Sequence, residues 1–416
     1  MTRPASGTAR RVPFGRGATA RLGGKWRLAA ILGTAAVLAV IAVLNVRSTF
    51  TDPVTWTPDG VYYQAKLLEY RGVDHDEAIA ETFGGPLSAE LRARDPLHTG
   101  DPDWVAYNEP FYERRIAVPL AGAALYSVDG DRALLDLSLA GYVASVLAVF
   151  GLLLLRFRLA VAAVVGLATV FLPALVDHSS FPLTDSWGLA LETAAFAAAI
   201  LTLDRGRRWL PLFVLAILLL SITRDSAWIP LLAVGWCAWR LRSREALWLF
   251  VGGVAAALPA LLLFTVPARN LLAQLVNGGD IPPETSWSYI ASHYPHAVVE
   301  LVRANGGFLR DGEWFTGLYL IGGVVLLLVL ALRGHYRRSR TTMLMTAGTA
   351  VGLLYLLAAP LFSAFRLELV FVPMAAYGLA LGVTVALARL MGEAEATEPR
   401  VAPSSSAIGS PSSTVG

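Results

Sequence analysis

The sequence predicts an all-α polytopic membrane protein with about ten transmembrane helices. More than half of its 416 residues (55%) are hydrophobic and the mean hydropathy is +0.56, which is too apolar for an ordinary soluble domain. Long runs without charged residues recur along the chain, and each approaches the ~20 residues that cross a bilayer core. Basic residues also gather in the loops of one side, as they do in membrane proteins.

Ten apolar runs predict membrane spans, the shorter ones with their ends reaching the interface. They lie at residues 28–46, 133–155, 159–177, 186–203, 209–223, 226–241, 247–267, 314–332, 342–362 and 366–390. The segment 116–128 is also apolar, but its 13 residues are better suited to an interfacial or re-entrant helix. The transmembrane domain of residues 28–390 therefore carries two long outer loops, 47–115 and 269–313, in which we expect short interfacial helices.

The distribution of charge predicts the orientation of the chain. With the N-terminus in the cytoplasm, 21 of the 34 basic residues but only five of the 31 acidic residues lie on the cytoplasmic side, in agreement with the positive-inside rule. A full span at 116–128 would invert every later loop. We therefore expect a multi-pass protein of the cytoplasmic membrane with both termini in the cytoplasm, a basic disordered tail at 1–27 and a second disordered tail at 391–416.

Composition also limits the partners. The single cysteine, Cys237, cannot form an intramolecular disulfide or a cysteine metal cluster. The acidic turn at 74–77 is more typical of a solvated turn than of a site for a hard cation, so we expect no metal and no cofactor. The sequence contains no visible nucleotide-binding loop. We expect the protein to contact a lipid bilayer and not a nucleic acid.

Asp59 is the first candidate for chemistry, because it follows the first span directly and precedes a helix-like segment. One interpretation is structural: Asp59 caps this helix and Gly72 ends it. The other is that Asp59 is a carboxylate base at the membrane surface. Both interpretations remain open from the residues alone.

Several arginines on the outer side oppose the usual distribution of basic residues and suit a phosphate group, since a guanidinium offers paired donors and keeps its charge. Pairing with Glu109 and Glu113, with Glu368, or with a helix dipole is the structural alternative. The candidates are Arg114, Arg115, Arg224 and Arg366.

Two acids at the start of and within the span at 186–203 have similar alternatives. Asp185, in an outer turn, either caps the helix, a role that Thr184 could also fill, orients an arginine or binds sugar hydroxyls. Glu192 lies about 10 Å further along, where an ionisable group faces a cavity or a partner, or is a structural acid. The aromatic and histidine residues of the second loop have no assignment from the sequence: Trp287, Tyr289, His293, Tyr294 and His296.

The order and side of five short motifs resemble the GT-C superfamily of membrane glycosyltransferases, of the protein mannosyltransferase or arabinosyltransferase type. Members of this superfamily use polyprenyl-phosphate-linked sugars. The motifs are Asp59 followed by Tyr62 and Tyr63, Tyr112-x-Arg114-Arg115-x-x-x-Pro119, Pro182-x-x-Asp185, Thr223-Arg224-Asp225, and Arg366 before a proline-containing helix.

The resemblance implies an inverting transfer of a sugar from a polyprenyl-phosphate donor to an envelope glycan, lipid or protein, on the outer face and without a metal. Asp59 would be the catalytic base. The implied substrate-binding residues are Tyr62, Tyr63, Arg114, Arg115, Asp185, Arg224 and Arg366. A transporter or flippase of a lipid-linked or acidic solute, and an envelope polysaccharide polymerase or ligase, are the alternatives. Asp59 beside the arginines favours transfer, whereas a cavity around Glu192 favours transport.

Overall fold

The secondary structure of the chain is helical throughout its described part. A computed structural model describes residues 24–51, 54–263, 266–333, 339–361, 363 and 365–390, and no strand occurs among them. Seven helical stretches within these residues are long and apolar enough to cross a membrane, or eight if one bent pair counts as a span. The chain is therefore an all-α polytopic membrane protein, as predicted, but the expected number of ten spans is not confirmed.

The α-helices are numbered here in chain order. The first seven are α1 (Gly24–Asn45), α2 (Arg47–Thr51), α3 (Pro58–Tyr70), α4 (His75–Ile79), α5 (Ala89–Arg94), α6 (Pro96–Gly100) and α7 (Pro102–Asn108). Next come α8 (Ala117–Asp129), α9 (Ala133–Leu154), α10 (Leu159–Val170), α11 (Pro173–Ser179), α12 (Asp185–Arg205), α13 (Leu210–Ser221) and α14 (Trp228–Leu241). The last seven are α15 (Arg244–Leu263), α16 (Ala268–Val276), α17 (Trp287–Arg310), α18 (Trp314–Gly317), α19 (Gly323–Leu332), α20 (Arg340–Ala358) and α21 (Val372–Leu390).

Two predicted spans are shorter than the sequence suggested. Helices α13 and α14 have 12 and 14 residues, or about 18 and 21 Å, against a hydrocarbon core of ~30 Å. Short 3₁₀ turns at Arg207–Trp209 and Asp225–Ala227 take up residues that the apolar runs had included. Hydropathy alone does not distinguish such a turn from the end of a helix.

The other departures concern a bend within one predicted segment, the joining of two segments, and the limit of a tail. The run at 159–177 forms α10 and α11, bent by 55°, because Pro173 cannot donate the backbone hydrogen bond that would continue the helix. Segment 116–128 forms α8, which packs against α3 and leads into α9. Together α8 and α9 form one 38-residue apolar helical stretch, Ala117–Leu154. Helix α1 begins at Gly24, within the predicted tail. Residues 1–23 and 391–416 of the two tails lie outside the described residues.

Exposed apolar side chains mark the surface that faces lipid. On α15 they recur at spacings of three and four residues, which places them on one face of the helix. They are Leu247, Val251, Val254, Leu258 and Leu262. Such a continuous apolar face is stable next to hydrocarbon chains and would be costly in water.

The two long loops pack together over one end of the helix bundle. The loop before α8 has its own buried core, centred on Tyr62, Leu67 and Phe83. Its contact with the later loop includes a short hydrogen bond between His98 Nε2 and Asp280 Oδ1 (2.7 Å). These contacts hold the short helices of the first loop at a defined position above the membrane helices. The later loop instead contains the 24-residue helix α17, which is longer than the short interfacial helices expected there.

Helices α19 and α21 touch through glycines. A β-carbon at Gly323 would collide with the carbonyl oxygen of Ala375, and one at Gly378 would collide with the carbonyl oxygen of Gly323. A β-carbon at the preceding residue, Gly322, would make only an ordinary contact of 3.7 Å with Leu318. The close approach of the two helices therefore depends on Gly323 and Gly378.

We expect Gly323→Ala to lower the free energy of unfolding by about 1–3 kcal/mol, because the added methyl group separates the two backbones. Gly322→Ala is the matched control and should be neutral or stabilising by up to about 1 kcal/mol. The melting temperature of the purified protein in detergent, followed by tryptophan fluorescence, measures both. Equal melting temperatures for the two variants would contradict the packing described here.

Candidate functional site

The chain around Asp59 is fixed by the start of α3. The Thr57 hydroxyl accepts a hydrogen bond from the backbone N–H of Gly60 (3.1 Å), and Pro58 occupies the first turn. Thr57 therefore caps the helix, and the structural interpretation of Asp59 as the cap is wrong. Gly72 has a positive φ of 92° just after the helix, which fits its expected role in ending it.

Asp59 is held by two side chains from elsewhere in the chain. Its Oδ2 atom lies 2.5 Å from Arg366 Nη1, and the Tyr112 hydroxyl donates to its Oδ1 atom (2.6 Å). Burial raises the pKa of the Asp59 carboxyl, but Arg366, Arg115 and the Tyr112 hydroxyl outweigh it, so the pKa lies below its ordinary value of 3.8. Asp59 is thus a carboxylate with a strong partner.

Asp185 joins two arginines. Its Oδ1 atom accepts from Arg366 Nε at 2.9 Å and lies 2.7 Å from Arg224 Nη2. Asp59, Arg366, Asp185 and Arg224 therefore form a line of alternating charges that links α3, α12, the end of α13 and the start of the last membrane stretch. Of the sequence interpretations of Asp185, the orientation of an arginine is the one that the geometry supports.

Other contacts decide between the remaining alternatives. Thr184, at the N-cap of α12, makes no side-chain cap hydrogen bond. Glu368 accepts a hydrogen bond from Asn305 Nδ2 (2.7 Å), so its partner among the described residues is Asn305 and not Arg366. The stem of Arg224 lies against Gly188, where a β-carbon would come within 2.5 Å of Arg224 Cγ. Gly188 therefore makes the space that Arg224 needs.

A second group of contacts surrounds Arg115. Its Nη1 atom donates to the Tyr63 hydroxyl (2.6 Å), and its Nη2 atom donates to Asp225 Oδ2 (3.4 Å). Arg114 also forms an ion pair with Asp225. The Tyr63 hydroxyl lies 3.4 Å from Thr184 Oγ1, next to Asp185. The two groups thus meet beside the N-terminus of α12.

We call the combined group the arginine cluster. It comprises Arg114, Arg115, Arg224 and Arg366 with Asp59, Asp185 and Asp225. Four arginines and three aspartates leave one positive charge in excess when all are ionised. The buried Nε of Arg115 and Nη2 of Arg366 have no hydrogen-bond partner within the described part of the chain. The excess positive charge and these donors suit an anion with several acceptor oxygens, whereas the buried Oδ2 of Asp185, which also has no described partner, would repel one.

The two candidate tyrosines have different positions. The Tyr63 hydroxyl accepts a hydrogen bond from Arg115 of the arginine cluster and also lies within hydrogen-bond distance of Thr184 Oγ1. Tyr62 is 1% exposed, stacks on Tyr112 with ring centroids 4.4 Å apart, and donates to the carbonyl oxygen of Val105 (3.1 Å). Tyr62 therefore supports the ring of Tyr112, which in turn holds Asp59.

Sequence reasoning gave no separate role to Tyr112 or Asp225, although both belong to the motifs quoted above. Each lies one or two positions from a candidate arginine, and this was the only signal available. Their contacts with Asp59 and Arg115 depend on chain segments more than 50 residues apart, which the sequence alone does not bring together.

Glu192 lies deeper in α12, seven residues after Asp185. It is 1% exposed and forms a side-chain hydrogen bond with Ser226, near Arg224. Its Oε1 atom is buried and has no hydrogen-bond partner among the described residues. Glu192 thus extends the polar network into the helix bundle, below the arginine cluster.

The loop acids near His75 surround a lysine. Oxygen and nitrogen atoms of Glu69, His75 and Glu109 lie within 4.8 Å of one another, as in a cation site, but Lys66 Nζ lies 3.0 Å from Glu69 and 3.6 Å from Glu109. The hydrogen bond with Glu69 raises the pKa of His75. In the acidic turn at 74–77, Asp74 caps α4. Helix capping therefore explains this acid.

Comparison with known proteins found no family model that matches the sequence and no curated protein that is similar to it.

Removing the cation that joins two aspartates should destabilise the fold. We expect Arg366→Gln to lower the free energy of unfolding by about 2–4 kcal/mol, since Asp59 and Asp185 lose a partly buried partner. Arg303→Gln removes an ion pair that is 73% exposed on the arginine side and should cost less than about 1 kcal/mol. Thermal unfolding in detergent gives both values. A cost in the double variant Asp59→Asn/Arg366→Gln equal to the sum of the single ones would refute the coupling.

The lowered pKa of Asp59 predicts a dependence of stability on acid. A carboxyl whose pKa is depressed by folding stabilises the protein above its unfolded pKa, and this contribution disappears as the pH falls through the folded value. The difference in unfolding free energy between wild type and Asp59→Asn should therefore shrink below about pH 4. Melting curves at a series of pH values from 6 down to 3 test this, and a constant difference would argue against it.

Proposed function

We propose that this protein is a GT-C-type membrane glycosyltransferase, which moves a sugar from a polyprenyl-phosphate donor to an acceptor of the cell envelope, with inversion. The observation that carries the proposal is the contact of Asp59 with Arg366 in a cluster of four arginines. A carboxylate and a group of guanidinium donors thus lie side by side at one end of the membrane helices. Sugar transfer from a lipid phosphate needs both groups.

The sidedness of the cluster supports an outer site. At the opposite ends of α9 and α12, Arg156 pairs with Asp204, and Arg340 donates to the carbonyl oxygen of Leu203 (2.8 Å). More arginines follow α12 directly. The positive-inside rule assigns that end to the cytoplasm, which leaves the arginine cluster on the outer face of the cytoplasmic membrane. Nucleotide sugars are cytosolic, so a lipid-linked donor suits a site on that face.

In the proposed reaction, the arginines bind the phosphate of the donor and stabilise the charge that grows on it as the bond to the sugar breaks. An acceptor hydroxyl attacks the anomeric carbon from the opposite side while Asp59 takes its proton. The polyprenyl phosphate leaves with the electron pair of the broken carbon–oxygen bond. Protonated Asp59 then releases the proton to solvent.

Donor binding should also make Asp59 a stronger base. While Arg366 pairs with Asp59, the low pKa of the carboxyl makes it a poor proton acceptor. A phosphate that draws Arg366 toward itself weakens this pair and raises the pKa of Asp59. The base would thus be activated where a donor is bound.

Transport of an acidic or lipid-linked solute is the second candidate. Glu192 favours it, because this buried acid lies inside a membrane helix beside Arg224, and such acids often mark transport pathways. Under the first proposal, Glu192 instead positions Arg224. The two functions differ in one property: only the transferase forms a new glycosidic bond.

We expect Asp59→Asn to lower sugar transfer by about 100-fold or more, since a positioned base contributes 10²- to 10⁴-fold. Asp136→Asn is the control, because Asp136 pairs with Arg132 outside the cluster (3.8 Å). The assay uses purified protein, a panel of polyprenyl-phosphate sugars and an envelope extract, with the glycosylated product detected by mass spectrometry. Full activity of Asp59→Asn, or no transfer by the wild type from any donor, would rule out the proposal.

A further inference from the structure

The first loop contains a cavity that is separate from the arginine cluster. Its volume is about 470 Å³, within the range of 300–1,000 Å³ typical of small-molecule sites. Its polar and aromatic wall includes His75, Asp76, Phe83, Arg92, Thr99 and Glu109. None of these residues has a part in the mechanism described above.

One wall of the cavity is held in an unusual conformation. The π-helix Ala80–Gly84 contributes Ala80, Phe83 and Gly84 to it, and π-helical turns occur frequently at functional sites. Ser88 Oγ donates to the carbonyl oxygen of Phe83 (3.1 Å), and Arg92 Nη1 donates to the carbonyl oxygen of Gly85 (2.9 Å). These bonds fix the end of the π-helix, so the wall is formed before any ligand binds.

The chemistry of the wall suits a neutral ligand with many hydroxyl groups. The carboxylates of Asp76 and Glu109 accept hydrogen bonds, and the Thr99 hydroxyl, which donates to the carbonyl oxygen of Asp95 (2.7 Å), still has an acceptor lone pair. The Phe83 ring, which is 6% exposed, adds an apolar patch to the wall. The Arg92 guanidinium donates to the carbonyl oxygen of Gly85 (2.9 Å) and the His75 ring pairs with Glu69 (2.8 Å). A phosphate would therefore find these cations already paired and would meet the carboxylates of Asp76 and Glu109.

Two stacked tyrosine rings, those of Tyr62 and Tyr112, lie between the cavity and Asp59. Tyr62 contacts Phe83 on one side, with centroids 4.8 Å apart, and stacks on Tyr112 on the other. The backbone N–H of Tyr112 donates to the carbonyl oxygen of Glu109 (2.9 Å), so one turn carries both a wall residue of the cavity and the hydroxyl that binds Asp59. A saccharide bound in the cavity would have to extend past these rings for another of its hydroxyls to reach Asp59.

We propose that the cavity is a carbohydrate subsite that holds a distal, hydroxyl-rich part of the acceptor while another hydroxyl of the same chain reaches Asp59. The assignment of the ligand as an acceptor rests on the proposed function. Binding of a neutral saccharide to the cavity does not, and it can be measured without any transfer reaction.

The experiment measures binding of neutral di- and trisaccharides of hexoses and pentoses to the purified protein by saturation-transfer NMR. Ala106→Trp fills the cavity from an exposed position of α7 and should weaken binding at least about tenfold. Ala89→Trp, on an exposed position of α5 outside the lining, is its control and should bind as the wild type does.

A second pair of variants tests the polar wall. Asp76→Asn should weaken binding by about tenfold, because a hydroxyl loses a charged acceptor. Asp103→Asn is closely matched: each aspartate is the second residue of its helix, and its N–H bonds to the aspartate that caps that helix (3.0 and 2.9 Å). Asp103→Asn should leave binding unchanged.

The results separate the two proposals. Saccharide binding that Ala106→Trp removes and Asp103→Asn preserves supports the subsite, even if the wild type transfers no sugar. No binding by the wild type, or equal binding by Ala106→Trp and Ala89→Trp, overturns the subsite while the transferase proposal stands on Asp59. When peptides are tested as ligands in the same experiment, binding of peptides and not of saccharides overturns the subsite as well.

Discussion

The ion pairs of Arg366 connect the parts of the protein that must stay together. This guanidinium contacts Asp59 in the loop helix α3 and Asp185 at the start of a membrane helix. Charges in a partly buried place are stable only when each has a partner. The three residues therefore fix the position of the loop on the bundle as well as the charge of the site.

The loop above the bundle separates two kinds of chemistry. On one side of the Tyr62–Tyr112 stack, the arginine cluster has an excess of positive charge; on the other, the cavity is lined by Asp76 and Glu109. An anionic ligand of the arginine cluster and a neutral saccharide in the cavity would thus approach Asp59 from different directions. The tyrosines join the two regions because Tyr112 contacts Asp59 directly.

Much of this architecture is encoded locally and could be predicted from the sequence. The apolar runs predicted the fold class, and the charge pattern singled out Asp59 and the arginines that contact one another in the structure. The predicted lengths of α13 and α14 were too great, because 3₁₀ turns such as Asp225–Ala227 have no hydropathy signal. Pairings such as Arg115 with Asp225, and the cavity formed by four short helices and a π-turn, depend on tertiary packing. No local pattern specifies them.

As membrane spans, which the ten-span prediction makes them, helices α13 and α14 would also affect the lipid around them. Because both are shorter than the hydrocarbon layer, the bilayer next to them would become thinner or the helices would recruit polar residues to its edge, at a modest energetic cost per ångström of mismatch. Arg224 and Asp225 lie in the connection between these two helices. Lipid headgroups beside this connection would sink toward the level of the arginines, so that a lipid phosphate travels a shorter distance to reach them.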